Sequence, residues 1–228
     1  MTRAAVPATA SAPGAPLLSD TAYDRILQHL FDGSLPVGSF VSQTDLTALT
    51  GVPVAPLRDA LRILETEGIL TIQPRSGIQF VKPGFELTKS TFQFRQILEC
   101  AAVRVFAEVA PAGALADIEA RHAALSTDIE ARGLDDRALE ELADLERSLH
   151  AGVIAILRNP LIDTSYRRVH NYLRLVRLDR VLTPPLALRT VREHMAIIAA
   201  CKARDPILAE TALKSHFAAA LQRHLGLF

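Results

Sequence analysis

The sequence predicts a mainly α-helical protein in which a winged helix-turn-helix, with three helices and a β-hairpin wing, precedes an antiparallel all-helical bundle. Three short helical segments and two β-type runs follow one another within residues 17–83, which is the order typical of a winged helix. Residues 84–228 instead repeat apolar side chains at helical spacing between regular Pro and Gly breaks, as in a helical bundle. The length of 228 residues accommodates two such domains.

Composition limits the classes of function. The 25 Lys and Arg balance the 25 Asp and Glu, which argues against a protein that coats nucleic acid through net charge. No apolar run reaches the roughly 18 residues of a membrane span, so we expect a cytoplasmic protein with no membrane partner. Residues 1–16, rich in Ala and Pro, are predicted to be a disordered tail. Cys100 and Cys201 form no CxxC pair and are expected to be reduced, buried thiols.

The first two helices are marked by the residues at their ends. Ser19 is the predicted N-cap of the first helix, which Gly33 ends. Ser42 is the predicted N-cap of the second helix, and Asp45, three residues later, completes a capping box. Gly51 ends this second helix.

A third helix and a hairpin follow after a very short turn. Pro53, or Pro56, opens the helix, because Pro is tolerated in the first helical turn, and Gly68 ends it. Residues 69–72 and 78–81 are β-type runs, and the Pro-Arg-Ser-Gly sequence between them is a tight turn.

This arrangement predicts a DNA-reading surface. In a helix-turn-helix the second helix of the pair enters the major groove, and here an early arginine of that helix, Arg58, can bond guanine through two donors. The start of the preceding helix offers backbone N–H groups and hydroxyls to a phosphate, and the glycine of the hairpin tip allows close approach to the minor groove. The candidate DNA-contacting residues are Ser42, Gln43, Thr44, Val54, Arg58, Arg62, Arg75, Ser76 and Gly77. A winged helix that contacts another protein is the alternative.

The stretch from residue 51 to residue 81 resembles the DNA-binding domain of GntR-type regulators. The residues that match the family pattern are Gly51, Val52, Pro56, Arg58, Ala60, Leu61, Leu64, Glu67, Gly68 and Gly77. The upstream segment resembles the first two helices of that domain, so the similarity covers most of residues 19–82. The resemblance implies double-stranded operator DNA as a partner.

Two departures from the family pattern bear on DNA binding. The family usually has Ser-Arg where this chain has Pro53-Val54, so one arginine contact to DNA is missing. Residues 17–82 also hold five Lys and Arg against seven Asp and Glu, which weakens charge-driven binding. We therefore expect weak or unusual operator binding that depends on the avidity of a homodimer.

Six helices are predicted in the second half of the chain. Their approximate spans are 87–109, 111–132, 135–158, 160–180, 185–203 and 206–225. The breaks between them fall at Pro111, Gly133, Asn159-Pro160, Pro184-Pro185 and Asp205-Pro206. This spacing suits an antiparallel bundle.

Four polar side chains share the apolar faces of three of these helices. Glu146 and His150 lie one turn apart in an apolar stripe, while His194 and His216 lie on inward faces of the last two helices. A carboxylate and three imidazoles from bundle helices can hold a divalent transition metal. The alternative is that each His bonds a backbone carbonyl and Glu146 pairs with an arginine. The other histidines show no shared pattern and are assigned to ordinary roles: His29, His122, His170 and His224.

Residues 88–225 resemble the FCD ligand-binding domain of FadR-type GntR regulators. The matching segments are Glu146 to His150, Glu193 to Ala200, Ala209 to His216, Asn159-Pro160-Leu161, and Arg95 with Glu99. The resemblance implies that a metal such as zinc or nickel is bound and helps to hold a small organic acid. The implied ligands are Glu146, His150, His194 and His216. Glu146 departs from the Asp of the family; it is one methylene longer and remains a competent oxygen ligand.

Two arginines are the candidate effector-binding residues. Arg95 lies on an apolar helix face, where a buried guanidinium needs an anion, and a carboxylate effector can accept two parallel hydrogen bonds from it. Glu99, at i+4, is the alternative partner of Arg95. Arg174 is a second candidate on the same reasoning.

These features together predict a homodimeric, ligand-controlled transcription regulator, either a repressor or an activator, that is not an enzyme. Two alternatives stay open. One is a metal-dependent hydrolase, in which an imidazole and carboxylate site activates water. The other is a winged-helix scaffold whose helical bundle senses nothing.

Overall fold

The computed structural model describes residues 17–178 and 181–226. The tail predicted for residues 1–16, and the end of the helix predicted to reach residue 180, lie outside these described residues. The described residues divide into two compact units, with the boundary between Lys82 and Pro83. Among the helices described, not one combines the length and the apolar character needed to cross a membrane.

The first unit is a winged helix-turn-helix, as predicted. Its elements are α1 (Leu18–Phe31), β1 (Phe40–Val41), α2 (Gln43–Thr50), α3 (Val54–Thr66), β2 (Leu70–Gln73) and β3 (Gly77–Phe80). The antiparallel sheet has the order β1-β3-β2. The two-residue strand β1 was not predicted, because two residues are too few to display an alternating pattern. The buried apolar core of this unit includes Ile26, Leu30, Leu46, Leu57, Leu64, Ile69 and Phe80.

The ends of the first two helices test the predicted caps. Ser42 and Asp45 form the expected capping box at the start of α2, and Gly51 ends that helix in the left-handed region with φ of 65°. The prediction for Ser19 was wrong. Helix α1 begins two residues earlier than Ser19 as N-cap would give, at Leu18, and its N-cap Leu17 makes no side-chain capping hydrogen bond.

The close packing of the wing requires a glycine at residue 77. Gly77 has φ of +145°, and a Cβ atom added there would lie 2.8 Å from the carbonyl oxygen of Val41 and 2.9 Å from the Phe40 ring. The absence of a side chain at Gly77 therefore lets β3 pair closely with β1. Packing within the domain thus requires a glycine at this position, and the predicted approach of Gly77 to the minor groove stays a prediction.

The second unit consists of six helices, close to the predicted spans. They are α4 (Phe85–Val109), α5 (Ala112–Arg132), α6 (Asp136–Ala155), α7 (Pro160–Arg177), α8 (Pro184–Lys202) and α9 (Pro206–His224). Asp135, Asn159 and Asp205 cap α6, α7 and α9 through side-chain oxygens, and Pro occupies the first turn of α7, α8 and α9. Helix α6 ends three residues before the predicted boundary.

Helix α4 packs mainly on α9, and α8 packs on both α5 and α9. The largest apolar cluster draws on all six helices and includes Phe92, Val103, Leu115, Val153, Leu173, Ile197, Leu213 and Phe217. Cys100 and Cys201 are buried free thiols, as predicted, and burial raises the pKa of each to about 11. This packing fixes the helices from which the polar site projects.

Candidate functional site

Three buried histidines meet inside the helical unit. His150 on α6, His194 on α8 and His216 on α9 each expose 2% or less of their surface. One ring nitrogen of each lies within 4.8 Å of the corresponding nitrogen of the other two. The ring centroids of His194 and His216 are 4.8 Å apart, and that of His150 is 5.4 and 5.3 Å from them. The structure thus brings together three of the four side chains that the sequence predicted as ligands.

Each of these imidazoles has a hydrogen-bond partner at Nδ1. Nδ1 of His150 lies 2.5 Å from Oε2 of Glu99. Nδ1 of His216 lies 2.9 Å from Oε2 of Glu193. Nδ1 of His194 lies 3.0 Å from Nε2 of His122. With the proton on Nδ1, the Nε2 atom of each ring carries the lone pair that a metal needs.

The protonation of the rings favours metal binding. Burial, and then the charge of Arg95, holds the pKa of His150 well below its usual value. Burial and the neighbouring imidazoles do the same for the pKa of His194. The Nε2 atoms of both rings are buried and lack a hydrogen-bond partner among the described residues. The unprotonated nitrogens of His150 and His194, together with the His216 ring beside them, fit zinc, nickel or another divalent transition metal.

Two carboxylates bond two of these imidazole rings and are themselves paired with arginines. Glu99 accepts a hydrogen bond of 2.7 Å from Nε of Arg95; burial raises the pKa of Glu99, and the guanidinium opposes that rise. Glu193 accepts two hydrogen bonds of 2.7 Å from Arg223. Burial alone would raise the pKa of Glu193. The hydrogen bonds from Arg223 and His216 outweigh that effect and lower the pKa to about 2. The two carboxylates therefore fix the orientations of the His150 and His216 rings through hydrogen bonds to Nδ1.

Glu146 lies near the imidazole rings, but its carboxylate pairs with an arginine. Its carboxylate forms an ion pair with the guanidinium of Arg177 on α7, and it is not in the group of converging ligand atoms. Burial raises the pKa of Glu146, but Arg177 and the nearby rings of His150 and His216 lower it to about 2. This pairing is the alternative that the sequence had left open for Glu146.

The two candidate effector-binding arginines differ in their surroundings. Arg95 is 1% exposed, is paired with Glu99, and lies over the Phe217 ring with its Cζ atom 4.8 Å from the centroid. Glu99 is thus the anion that this buried guanidinium requires. Arg174 lies on the exposed side of α7.

His122 belongs to the candidate site, although its sequence pattern was interpreted as that of an ordinary core histidine. It is fully buried on α5 and its Nδ1 lies 2.7 Å from the carbonyl oxygen of Ile118. The signal was present in the sequence, because His122 shares an apolar stripe with Leu115, Leu125 and Ile129 at spacings of 7, 3 and 4 residues. That stripe resembles those that singled out His194 and His216.

The candidate DNA-contacting surface lies in the first unit, along the start of α3. Val54 is 44% exposed, and Arg58 and Arg62 are exposed. Nε of Arg58 lies 3.4 Å from Oε1 of Gln43, which joins the two helices of the motif. Arg62 lies 3.9 Å from Asp59, an exposed pair of small energetic effect.

The starts of α2 and the wing complete this surface. The hydroxyl and backbone N–H of Ser42 both donate to Oδ2 of Asp45, at 2.7 and 3.0 Å. A phosphate at Ser42 therefore has to compete with this carboxylate, whereas Thr44 is exposed. In the wing, Arg75 and Ser76 are exposed, and Arg75 has a left-handed φ of 63°.

Comparison with known families places both units. The profile described as "Bacterial regulatory proteins, gntR family" matches residues 18–80. The profile described as "FCD domain" matches residues 90–219. The two matches correspond to the winged helix and to the helical unit.

Individual relatives agree with the profiles. The HTH-type transcriptional regulator YdhC of Bacillus subtilis is 23% identical over 195 residues, which are 86% of this chain and 85% of that protein. An HTH-type transcriptional regulator in an unstable DNA locus of Streptomyces ambofaciens is 27% identical over 204 residues, with coverages of 86% and 80%. The solved structure of E. coli McbR/YncC superposes with a TM-score of 0.73 at 18% identity, covering 93% of this chain and 99% of that one, and so supports the fold.

Proposed function

Because this chain belongs to the GntR family of bacterial regulatory proteins and carries an FCD domain, we propose that it senses a small organic acid through a metal-containing helical domain and changes its binding to operator DNA in response. The family and the relatives are transcriptional regulators and not enzymes. Family membership therefore argues against the metal-dependent hydrolase. A bacterial regulator of this kind acts in the cytoplasm, where the DNA is.

The observation that carries the metal proposal is the set of three buried imidazoles that each have a partner at Nδ1 and that bring one ring nitrogen each within 4.8 Å of the others. We assign His150, His194 and His216 as ligands of a divalent ion such as zinc or nickel. A metal held by three protein ligands keeps coordination positions at which the carboxylate of an organic acid can bind. Glu146 is the proposed fourth ligand only when it is released from Arg177, so the pair regulates how many positions remain for the effector.

The DNA-binding half of the proposal rests on the winged helix. We propose that residues 17–83 form the DNA-binding domain and residues 84–228 the sensing domain. Arg58 and Arg62, with the neighbouring Val54, face the major groove. The first backbone N–H groups of α2, at Gln43 and Thr44, meet a phosphate because the start of a helix attracts anions. Arg75 and Ser76, at the wing tip, approach the minor groove.

A homodimer is proposed on the basis of an apolar face of α4. Phe94, Ile97, Val105 and Val109 lie on one side of this helix and are 40%, 72%, 37% and 56% exposed. Their spacing of 3, 8 and 4 residues, with exposed Ala101 between them, makes a continuous stripe. Exposed apolar stripes of this kind mark protein interfaces, and a twofold dimer buries the same stripe from both chains.

Effector control then requires two arrangements of the protein that differ in affinity for the acid. Binding of the acid shifts the population toward the arrangement that it prefers. If that arrangement also differs in operator affinity, the two binding events are coupled, typically by about 5- to 150-fold. The sign of the coupling decides between a repressor released by its ligand and an activator recruited by it.

The test is a binding measurement on DNA selected by the protein itself. Duplexes enriched from a random library by the full chain are labelled, and their affinity is measured by fluorescence anisotropy at fixed salt. Chelated protein, zinc-loaded protein, and zinc-loaded protein with each of a panel of small carboxylates are compared. We expect an enriched sequence and a change in its affinity of at least about fivefold with one of the acids.

Two outcomes would overturn the proposal. Failure to enrich any duplex would remove the DNA-binding half. Enrichment of a duplex whose affinity is the same in all states, together with a melting temperature unaffected by chelation, would leave a winged-helix scaffold with a non-sensing bundle.

A further inference from the structure

A fourth imidazole stands behind one of the three proposed ligands. His122 projects from α5 and is fully buried, and its ring centroid lies 5.2 Å from that of His194. Its Nδ1 lies 2.7 Å from the Ile118 carbonyl oxygen, and its Nε2 lies 3.0 Å from Nδ1 of His194. The two rings and the carbonyl thus form one chain of hydrogen bonds.

The direction of this chain follows from its fixed end. A carbonyl oxygen only accepts, so the proton between Ile118 and His122 belongs to Nδ1 of His122. His122 is fully buried, and its two ring nitrogens face a carbonyl oxygen and another imidazole rather than a carboxylate. Because a buried imidazolium with no carboxylate on either nitrogen is costly, the ring is neutral and leaves a lone pair on its Nε2. His194 must then donate from Nδ1, and its own Nε2 is the unprotonated nitrogen.

We infer that His122 is a positioning residue that fixes the tautomer of His194 and so selects Nε2 of that ring as the metal-facing nitrogen. The inference rests on the metal site of the proposed function. It also explains why Nε2 of His194 is buried without a hydrogen-bond partner among the described residues. Without the acceptor behind it, the ring is free to carry its proton on Nε2, the tautomer that cannot ligate a metal through that atom.

His122 also contributes to the charge around the site, together with Arg95 and Arg223, which pair with the two carboxylates behind the other rings. The other two ligand rings donate to carboxylates, Glu99 and Glu193, whereas His194 donates to a neutral ring. The shell behind the site therefore holds one negative charge fewer than three carboxylates would give. A less negative shell favours an anionic ligand on the ion, in keeping with an organic acid as effector.

The experiment separates the tautomer from metal binding. The full chain is labelled with 15N-histidine and stripped of metal, and the ring nitrogens of His194 are identified by their loss in His194→Gln. In the wild type we expect a protonated Nδ1 and an unprotonated Nε2. In His122→Leu, which keeps a similar volume but has no acceptor, we expect the Nε2-protonated form to gain population. His122→Gln, whose amide oxygen can accept, should restore the wild-type form.

Zinc affinity gives the second readout. We expect a loss of about 10- to 100-fold in His122→Leu, most of it recovered in His122→Gln. A wild-type His194 already protonated on Nε2 overturns the inference, and so does an unchanged tautomer and zinc affinity in His122→Leu. The expected tautomers in a wild-type protein that binds no zinc would support the role of His122 and overturn the proposed metal function instead.

Discussion

The carboxylate of Glu146 on α6 is bound by the guanidinium of Arg177 on α7, and this pair borders the three converging histidines. The two side chains are 11% and 24% exposed, so the pair is largely shielded from water. A buried carboxylate requires a cation, and in this structure the cation is an arginine. The divalent metal proposed for the histidines would be a second cation available to Glu146.

Arg177→Met tests this competition. Removal of one partner of a buried ion pair is expected to destabilise the metal-free protein by about 3–5 kcal/mol. The same change leaves Glu146 available to the ion, so zinc affinity should rise. Urea unfolding with a chelator and zinc titration measure the two effects, with Arg167→Met, an exposed residue of the same helix, as the control. Unchanged or weaker zinc binding in Arg177→Met would show that Glu146 has no part in the site.

The apolar stripe of α4 predicts a specific change in oligomeric state. Ile97→Glu places a charge at the most exposed apolar residue of the stripe, and we expect the dimer to dissociate because a charge at an interface core is costly. Gln96→Glu adds the same charge on another exposed side of α4 and should leave the dimer intact. Sedimentation velocity measures both. Equal masses for the two variants would place the interface elsewhere.

Val54 occupies the position where the family usually has an arginine that contacts DNA. Val54→Arg should raise affinity for DNA and shift preference at the contacted position toward guanine, by about 1–3 kcal/mol. Thr127→Arg, exposed on α5, raises the net charge equally and serves as the control. Anisotropy titrations at several salt concentrations are the measurement. If both variants gain the same affinity without a change in base preference, α3 does not read bases at this position.

Titration of His170 is expected to account for part of the pH dependence of the free energy of unfolding. Burial, and then the charges of Arg95 and Arg177, lower the pKa of His170 to about 4. The unfolded chain takes up this proton near pH 6.5, so the folded state loses stability as the pH falls from about 6.5 towards 4. His170→Gln should reduce this loss in chelated protein, as followed by urea unfolding at pH 7 and pH 5. His29→Gln, in the other unit, is the control, and an identical loss in both variants would contradict the assignment.

The architecture was predictable from the sequence because it depends on local signals. The capping box of Ser42 and Asp45, and the Pro at the start of α7, α8 and α9, fix boundaries that need no tertiary information. Strand β1 was missed because its two residues gain their conformation from pairing with β3. The residues next to β1 in the sequence do not indicate that it pairs with β3.

The site was predictable only in part, and for a related reason. Helical periodicity places His150, His194 and His216 on inward faces, but it does not say what lies opposite them. The partners of Glu146 and His194 come from other helices, through Arg177 and His122. Packing between helices decides which cation a carboxylate such as Glu146 binds. The apolar pattern of one helix carries no information about that packing.

The central claim is that the three converging imidazoles hold a divalent metal. Calorimetric titration of zinc and nickel into chelated full-length protein tests it most directly, alongside a variant with His150, His194 and His216 all changed to Gln. We predict one tightly bound ion per chain in the wild type and none at that site in the variant, with circular dichroism confirming that the variant is folded. Equal binding by the two proteins, or no binding by the wild type, would contradict the claim.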